Sequence, residues 1–383
     1  MNIKTYRLAL IGFGNVARGL IQLLINKEKL LRVDPEIAIK VTAISDIHMG
    51  FASNPDGLSL QQLLELPNET GALSKLPGGQ NEPNNEAAIS ADHVDIVVEL
   101  TFTDLDIGEP AITHCQLAKK NSKHVVTINK GPVALAGGRL RNDAKYSQLA
   151  FNCEGSVMSG TPVLRFARES LAGATISQFR GILNGTANYV LGRVEAGASF
   201  EAAIKLAQEL GYAEADPTAD IGGLDVYAKV RILANELFGY GCEIASIKVV
   251  GIEGLAEDQV RSASERCSRW KLIGEGKLDK AGKAHLSVHP VLLPLSDPLA
   301  GLSGAINGVS FVTDVLGDVT VVGPGAGRVE TGFALLSDIL DIHRKSLAPQ
   351  FETIDRQQHE CSIEQVCQDQ NSRWKFAAQQ PTL

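Results

Sequence analysis

The sequence predicts an α/β protein: a Rossmann-type, doubly wound parallel sheet followed by a second, α+β catalytic and dimerisation domain. Three observations carry the first part of that reading. Short, continuously apolar segments alternate with helical patterns through residues 1–150, a glycine-rich turn joins the first strand to the first helix, and the alternation gives way to a different pattern after that point. Strand, helix, strand repeats specify right-handed crossovers and a parallel sheet covered on both faces.

Residues 7–11 are too uniformly apolar for a half-exposed strand and suit the middle of such a sheet. Val16, Leu20, Leu23 and Leu24 follow at helical spacing, with Leu30 and Leu31 continuing less regularly. Residues 37–44 read as the second strand, ending at Ser45 and Asp46, and the Pro-, Gly-, Asn- and Glu-rich stretch 67–86 reads as a long solvated loop. Two further strands, 95–100 and 124–128, flank a helix over 109–120. Beyond residue 150, strands at 177–183, 249–252 and 286–293 belong to a second sheet, with helices at 162–171, 200–210 and 224–237. Gly-rich segments at 301–308 and 323–327 precede a helix over 331–343. The expected organisation is a dinucleotide-binding domain over 1–150, completed by about 309–347, a substrate and dimerisation domain over 151–308, and a polar, Gln-rich tail over 348–383.

Composition narrows the function. With 383 residues, 44% of them hydrophobic and 21% charged, the chain can bury a sizeable core. Its formal charge of -8 argues against polyanions, so neither nucleic acid nor a membrane surface is expected as a partner. Cys115, Cys153, Cys242, Cys267, Cys361 and Cys367 form no C-x-x-C pair, which fits a reducing compartment. No apolar run reaches roughly 18 residues and no export signal opens the chain, so a cytoplasmic location is expected.

Gly12, Gly14 and Ala17 stand at G-x-G-x-x-A spacing between the first strand and its helix. The first glycine permits a tight turn, the second lets a pyrophosphate approach the backbone, and the alanine lets helix pack on sheet. Asn15 and Val16 lie at the helix start, whose unpaired N–H groups favour an anion. A tight turn with no ligand is the bland alternative, and the agreement of strand, turn and helix favours a dinucleotide. Asp46, at the end of the second strand, inclines the choice to NAD over NADP, although His48 and the polar loop leave a 2′-phosphate open.

Glu214, Asp216, Asp220 and Asp225 cluster ahead of and just inside a helix that also carries Lys229. Asp225 and Lys229 share a helix face, which describes either an exposed ion pair or a catalytic pair whose amine exchanges a proton with substrate. No His accompanies the acids and no calcium-loop spacing fits. Lys130, at the carboxyl end of the 124–128 strand, stands where open α/β sheets place ligands, or else is a lysine exposed to water. His285 and His289 fit structural roles, and Cys153 has no His partner nearby in sequence.

Taken together, GFGNVARG (12–19), HVVTINKGPVA (124–134), EGSVMSGTP (154–162), GILNGTANY (181–189), AQELGYAEADPTADIGGLDVYAK (207–229) and GPGAG (323–327) resemble the homoserine dehydrogenase family, in its short form without a C-terminal regulatory domain. The resemblance runs in family order over about residues 5–343. It implies reversible hydride transfer between NAD or NADP and the L-aspartate 4-semialdehyde/L-homoserine pair, in the threonine and methionine branch of aspartate metabolism. By the same resemblance Lys229 corresponds to the proton donor, and Glu214, Asp220 and Asp225 to substrate-binding acids suited to an ammonium. Lys130 corresponds to the lysine beside nicotinamide and substrate, and Gly211 and Gly325 to backbone lining the cofactor. Glu154, Val157, Ser159 and Thr161 correspond to positions that hold a structural sodium ion, largely through carbonyl oxygens. A homodimer formed through the second domain is also implied. The chain departs from long family members at 101–109, where Thr101 to Asp104 and an insertion replace a Gly-Gly. A non-catalytic cofactor-binding sensor and a dehydrogenase of a related amino or hydroxy acid are the competing readings.

Overall fold

A computed structural model describes residues 3–33, 36–214 and 216–347. The 348–383 tail, with Cys361 and Cys367, lies outside the described residues. The first sheet contains β1 (Lys4–Ile11), β2 (Ile37–Asp46), β3 (Gly50–Ser53), β4 (Ile96–Glu99), β5 (His124–Thr127) and β6 (Phe151–Asn152), in the order β3-β2-β1-β4-β5-β6. All pairings are parallel except β2 with β3. Order reverses between β1 and β4, so the crevice at their carboxyl ends is the switch point where doubly wound sheets hold ligands. Leu8, Leu10, Ile11, Val97 and Val98 have no exposed surface, as strands covered on both faces require. The antiparallel edge strand β3 was not expected. The Asp46 carboxylate accepts the N–H groups of His48 and Met49 and turns the chain back into it.

Helix α1 (Asn15–Val33) buries Leu20, Ile21, Leu23, Leu24 and Leu31, but leaves Leu30 exposed. The stretch 67–86 is not all loop. A 3-10 turn at Ala72–Lys75 interrupts it, between α2 (Leu60–Glu65) and α3 (Asn85–Ser90). After α4 (Ala111–Lys120) comes α5 (Lys130–Tyr146), whose three glycines and one proline hide its helical pattern. Pro132 falls in the first turn, where no intrahelical N–H is lost. Gly138 leaves room for Tyr240, whose Cγ would lie 2.4 Å from an added Cβ.

The second sheet contains β7 (Ile176–Ile182), β8 (Ile244–Val249), β9 (Ser268–Leu278), β10 (Ala284–Pro294), β11 (Ile306–Thr313) and β12 (Gly317–Pro324), ordered β12-β11-β7-β9-β10-β8. It is antiparallel apart from the parallel β8–β10 pair. The strand expected at 249–252 is corrected to 244–249. Val250 makes the last bond to β10, and Ile252 N–H then bonds to Ile221 O, drawing the chain off the ladder. The Gly-rich segments 301–308 and 323–327 run into β11 and out of β12 respectively, so 306–324 belongs to the second sheet. The return expected at about 309 therefore begins at the last helix.

The helices of this half are α6 (Val163–Arg165), which runs into a π turn over Phe166–Ser170, α7 (Gly185–Glu195), α8 (Phe200–Glu209), α9 (Thr218–Ile221), α10 (Leu224–Phe238) and α11 (Glu257–Arg261). The final helix is α12 (Arg328–Leu347), which crosses α1 at glycines: a Cβ on Gly19 would lie 2.0 Å from Arg328 O, and one on Gly332 2.6 Å from Leu20 N. The described residues up to Leu340 form one compact unit carrying both sheets. Among the described residues no helix is long and apolar enough to cross a membrane.

Candidate active site

The glycine-rich turn has the conformation its spacing implies. Gly12 adopts φ +100°, its N–H bonds to Ser45 O at 2.8 Å, and a Cβ there would lie 2.6 Å from Leu100 O, so only glycine fits between the ends of β1 and β4. Nothing stands within 4 Å of a Cβ on Gly14, which leaves its backbone open to an approaching phosphate. Asn15 is exposed and Val16 half-buried in the first turn of α1, where N–H groups have no intrahelical acceptor. Ala17 is buried against the sheet. Asp46 stands where expected, yet its carboxylate is already engaged: besides the turn to β3 it accepts Phe13 N–H at 2.8 Å, tying the end of β2 to the glycine loop.

The second cluster forms around Asp225, in the first turn of α10. One turn on, Lys229 is buried, and its Nζ donates to Asp225 Oδ2 and to Leu183 O, both at 2.7 Å. Lys130 Nζ, at the start of α5, lies 3.6 Å from Asp225 Oδ1. One carboxylate thus stands between two lysines from opposite halves of the fold. Burial alone would push the Asp225 carboxyl up, but Lys229, Lys130 and the donated hydrogen bonds outweigh it and hold the group well below the usual carboxylate range. The exposed ion pair is therefore set aside, since the amine is buried and also donates to the carbonyl of Leu183, just after β7.

Asn184 completes the cluster and is a residue that sequence reasoning missed. Its Nδ2 donates to Asp220 Oδ1 at 2.7 Å and to Asp225 Oδ2 at 3.0 Å, while its Oδ1 accepts Ala187 N–H and caps α7. The Asn-Gly-Thr-Ala stretch was legible as a helix cap, and the cap is what aims the amide. Burial, helped by Asp225, raises the Asp220 carboxyl even though Asn184 donates to it. Glu214 is exposed, and among the described residues none of the cluster's hydrogen bonds reaches its carboxylate. Gly211 ends α8 at φ +75° with open space around it, and the segment after it is tied in by Thr186 Oγ1 donating to Tyr212 O at 2.5 Å.

The 154–161 loop lies beside the start of α12. The Glu154 carboxylate is spent on the N–H groups of Leu164 and Arg165, and burial raises it despite Arg165 and Arg168. Val157 is fully buried, Met158 and Ser159 take φ +57° and +53°, Ser159 Oγ meets Thr331 Oγ1 at 2.7 Å, and Thr161 Oγ1 donates to Pro324 O at 3.0 Å. Gly325 packs on the Asn307 amide, 2.1 Å from where a Cβ would stand. Cys153 is buried and its thiol is pushed up to about 12 by burial, unsuited to nucleophilic work.

A mainly parallel sheet with a glycine turn at its switch point, together with a buried lysine–carboxylate pair on helix α10, is an arrangement suited to a dinucleotide-dependent oxidoreductase. The homoserine dehydrogenase family model matches residues 162–340. An NAD(+)-dependent homoserine dehydrogenase of Pseudomonas canavaninivorans is 47% identical over 349 residues, 91% of this chain and 99% of that one. A homoserine dehydrogenase of Methanocaldococcus jannaschii is 41% identical over 88% of this chain and 98% of its own length. Among solved structures, a homoserine dehydrogenase from Thiobacillus denitrificans superposes with TM-score 0.77 at 30% identity, covering 92% of this chain and 76% of that one. A hyperthermophilic archaeal homoserine dehydrogenase in complex with NADPH gives 0.76 at 26%, covering 89% and 98%. The chain belongs to the homoserine dehydrogenase family of NAD(P)-dependent oxidoreductases.

Proposed function

We propose that Lys229 is the proton donor and acceptor in reversible reduction of L-aspartate 4-semialdehyde to L-homoserine, and that the observation carrying this is its buried amine held on Asp225 opposite Lys130. The dinucleotide, when bound, supplies or takes the hydride. Gly12 and Gly14 fit its pyrophosphate, since one makes the turn and the other leaves the backbone uncovered. Lys229 meets the negative charge developing on the substrate oxygen and delivers a proton to it; in the reverse direction the neutral amine removes the alcohol proton. Asp225 keeps the amine aimed, and Lys130 guards the opposite side of the same carboxylate. Asp220 and Glu214 supply carboxylates for the substrate ammonium, Asp220 from within the cluster and Glu214 from the neighbouring exposed segment.

NAD is the favoured cofactor, because Asp46 places a carboxylate at the end of β2, where a 2′-phosphate would be repelled. The name of the 47% identical relative agrees, whereas the archaeal structure at 26% holds NADPH. Gly211 and Gly325 line the cofactor in this reading. The 154–161 loop suits a sodium ion bound through main-chain oxygens of Glu154, Val157, Ser159 and Thr161, since the Glu154 carboxylate is committed elsewhere and left-handed residues reverse the chain there. Two copies would join through the second sheet, whose edge strands leave Ile247 and Val322 exposed.

Lys229→Ala tests the assignment. Steady-state turnover with aspartate semialdehyde should fall by about 10²–10⁴-fold while dinucleotide affinity stays within a few-fold. Near-normal turnover would remove Lys229 from the reaction.

A further inference from the structure

The residue between the two glycines of the turn is Phe13, and it has no exposed surface. A buried ring at that place ties the turn to the packing beneath it, so whatever holds the ring holds the turn. Asp46 Oδ2 accepts the Phe13 N–H at 2.8 Å, and the Arg18 guanidinium lies over the ring, its Cζ 4.9 Å from the ring centroid. The Arg18 N–H donates to Gly14 O at 3.2 Å, at the start of α1. Its Nη1 reaches Leu63 O at 3.4 Å and Leu64 O at 3.3 Å, carbonyls of the last turn of α2, where intrahelical donors run out. One side chain thus joins α1, the glycine turn and α2.

Arg18 is 9% exposed, and burial pushes its guanidinium down from the ordinary arginine value, with Arg328 adding to that and Asp46 opposing it. Its two side-chain bonds are long, and among the described residues its buried Nη2 has no hydrogen-bond partner. A donor stranded on a cation taken out of water destabilises a fold. An unbranched apolar side chain such as methionine would fill the same space without that cost. What methionine lacks is the flat, charged face that rests on an aromatic ring and the fork that grips carbonyls. A residue unfavourable to packing yet suited to clamping the turn points to a task at the turn.

We propose that Arg18 is a positioning residue for the dinucleotide: by clamping the Phe13 ring and gripping the end of α2 it fixes the shape of the Gly12–Gly14 turn, at a cost to the stability of the unliganded chain. The inference rests on the dinucleotide assignment above. It gives Arg18 an effect on cofactor affinity, separate from the proton transfer at Lys229.

Titration of the parent and of Arg18→Met with reduced NAD, followed by its fluorescence, tests it beside denaturant unfolding of the unliganded chains. The Kd should rise about five- to twentyfold, the scale of one cation–ring contact converted to affinity, while turnover at saturating dinucleotide stays within about twofold. The unfolding midpoint of the variant should equal or exceed that of the parent. Phe13→Leu should weaken binding to a similar degree, and adding Arg18→Met to it should weaken binding by less than about twofold more, since both act through one ring. An unchanged Kd, a lowered midpoint, an Arg18→Met chain that does not fold, or losses that multiply in the double variant would overturn the proposal. Failure of the parent chain to bind NAD or NADP would instead remove the dinucleotide assignment beneath it.

Discussion

Two buried lysines show how much the partner decides. Lys229 meets a carboxylate, whereas Lys271 on β9, 3% exposed, reaches among the described residues Asn188 Oδ1 at 2.9 Å and Leu302 O at 2.5 Å. Burial pushes the Lys271 ammonium down to about 8, opposed by Glu195 and assisted by Arg269. In the unfolded chain the amine titrates near an ordinary lysine value of about 10.4. Below pH 8 both states are protonated and the burial penalty is present in full; between about pH 8 and 10.4 the unfolded chain binds the extra proton, so stability rises with pH. Chemical denaturation of the parent minus that of Lys271→Met should show this positive slope over the window, with the variant more stable at pH 7. A flat difference curve would mean that the amine is not held against water as described. The sequence made Lys229 visible through its spacing from Asp225, but Lys271 sits in a strand that alternation did not reveal.

At the scale of elements, what was legible is what is decided locally. The β1 turn, its small residues and α1 follow from G-x-G-x-x-A and helical spacing, and the fold places them as expected. What stayed hidden depends on neighbours far along the chain. Helix α5 carries glycines because Tyr240 needs their space, and β11 and β12 carry glycines where Leu302 and Thr161 press against them. Asn184 looks like any helix cap until α9 and α10 bring Asp220 and Asp225 to its amide. The turn itself supplies a test. Gly12→Ala forces a side chain into a left-handed conformation and against Leu100 O, so it should destabilise by about 2–3 kcal/mol in denaturant unfolding and weaken dinucleotide binding more than tenfold. Tight binding in a folded Gly12→Ala chain would place the pyrophosphate elsewhere.

Across the whole molecule, the two sheets are fastened by the pair of helices that also carries the site. α5 and α10 lie together, with Asn235 Nδ2 donating to Ala134 O at 3.1 Å and Arg141 pairing with Glu236 at 2.5 Å. Glu236, on a side chain 3% exposed, also takes Arg168 at 3.4 Å and the Tyr240 hydroxyl. The alternation of elements foretold two sheets but not this fastening, because its partners are about a hundred residues apart and Arg141 falls in a helix whose pattern is masked. If the sheets form one compact unit, they should melt together. Glu236→Ala removes the shared anion and leaves the half-buried Arg141 and Arg168 without it, which should cost about 1–3 kcal/mol. Hydrogen exchange near the unfolding midpoint would report whether β1 and β9 lose protection at the same denaturant concentration, in the parent and in the variant alike. Saturating dinucleotide, at about a hundred times its Kd, should restore about 2.7 kcal/mol to both. Exchange that opens β9 well before β1 would instead show that the catalytic sheet unfolds on its own, and that Glu236 is a local contact rather than the link between halves.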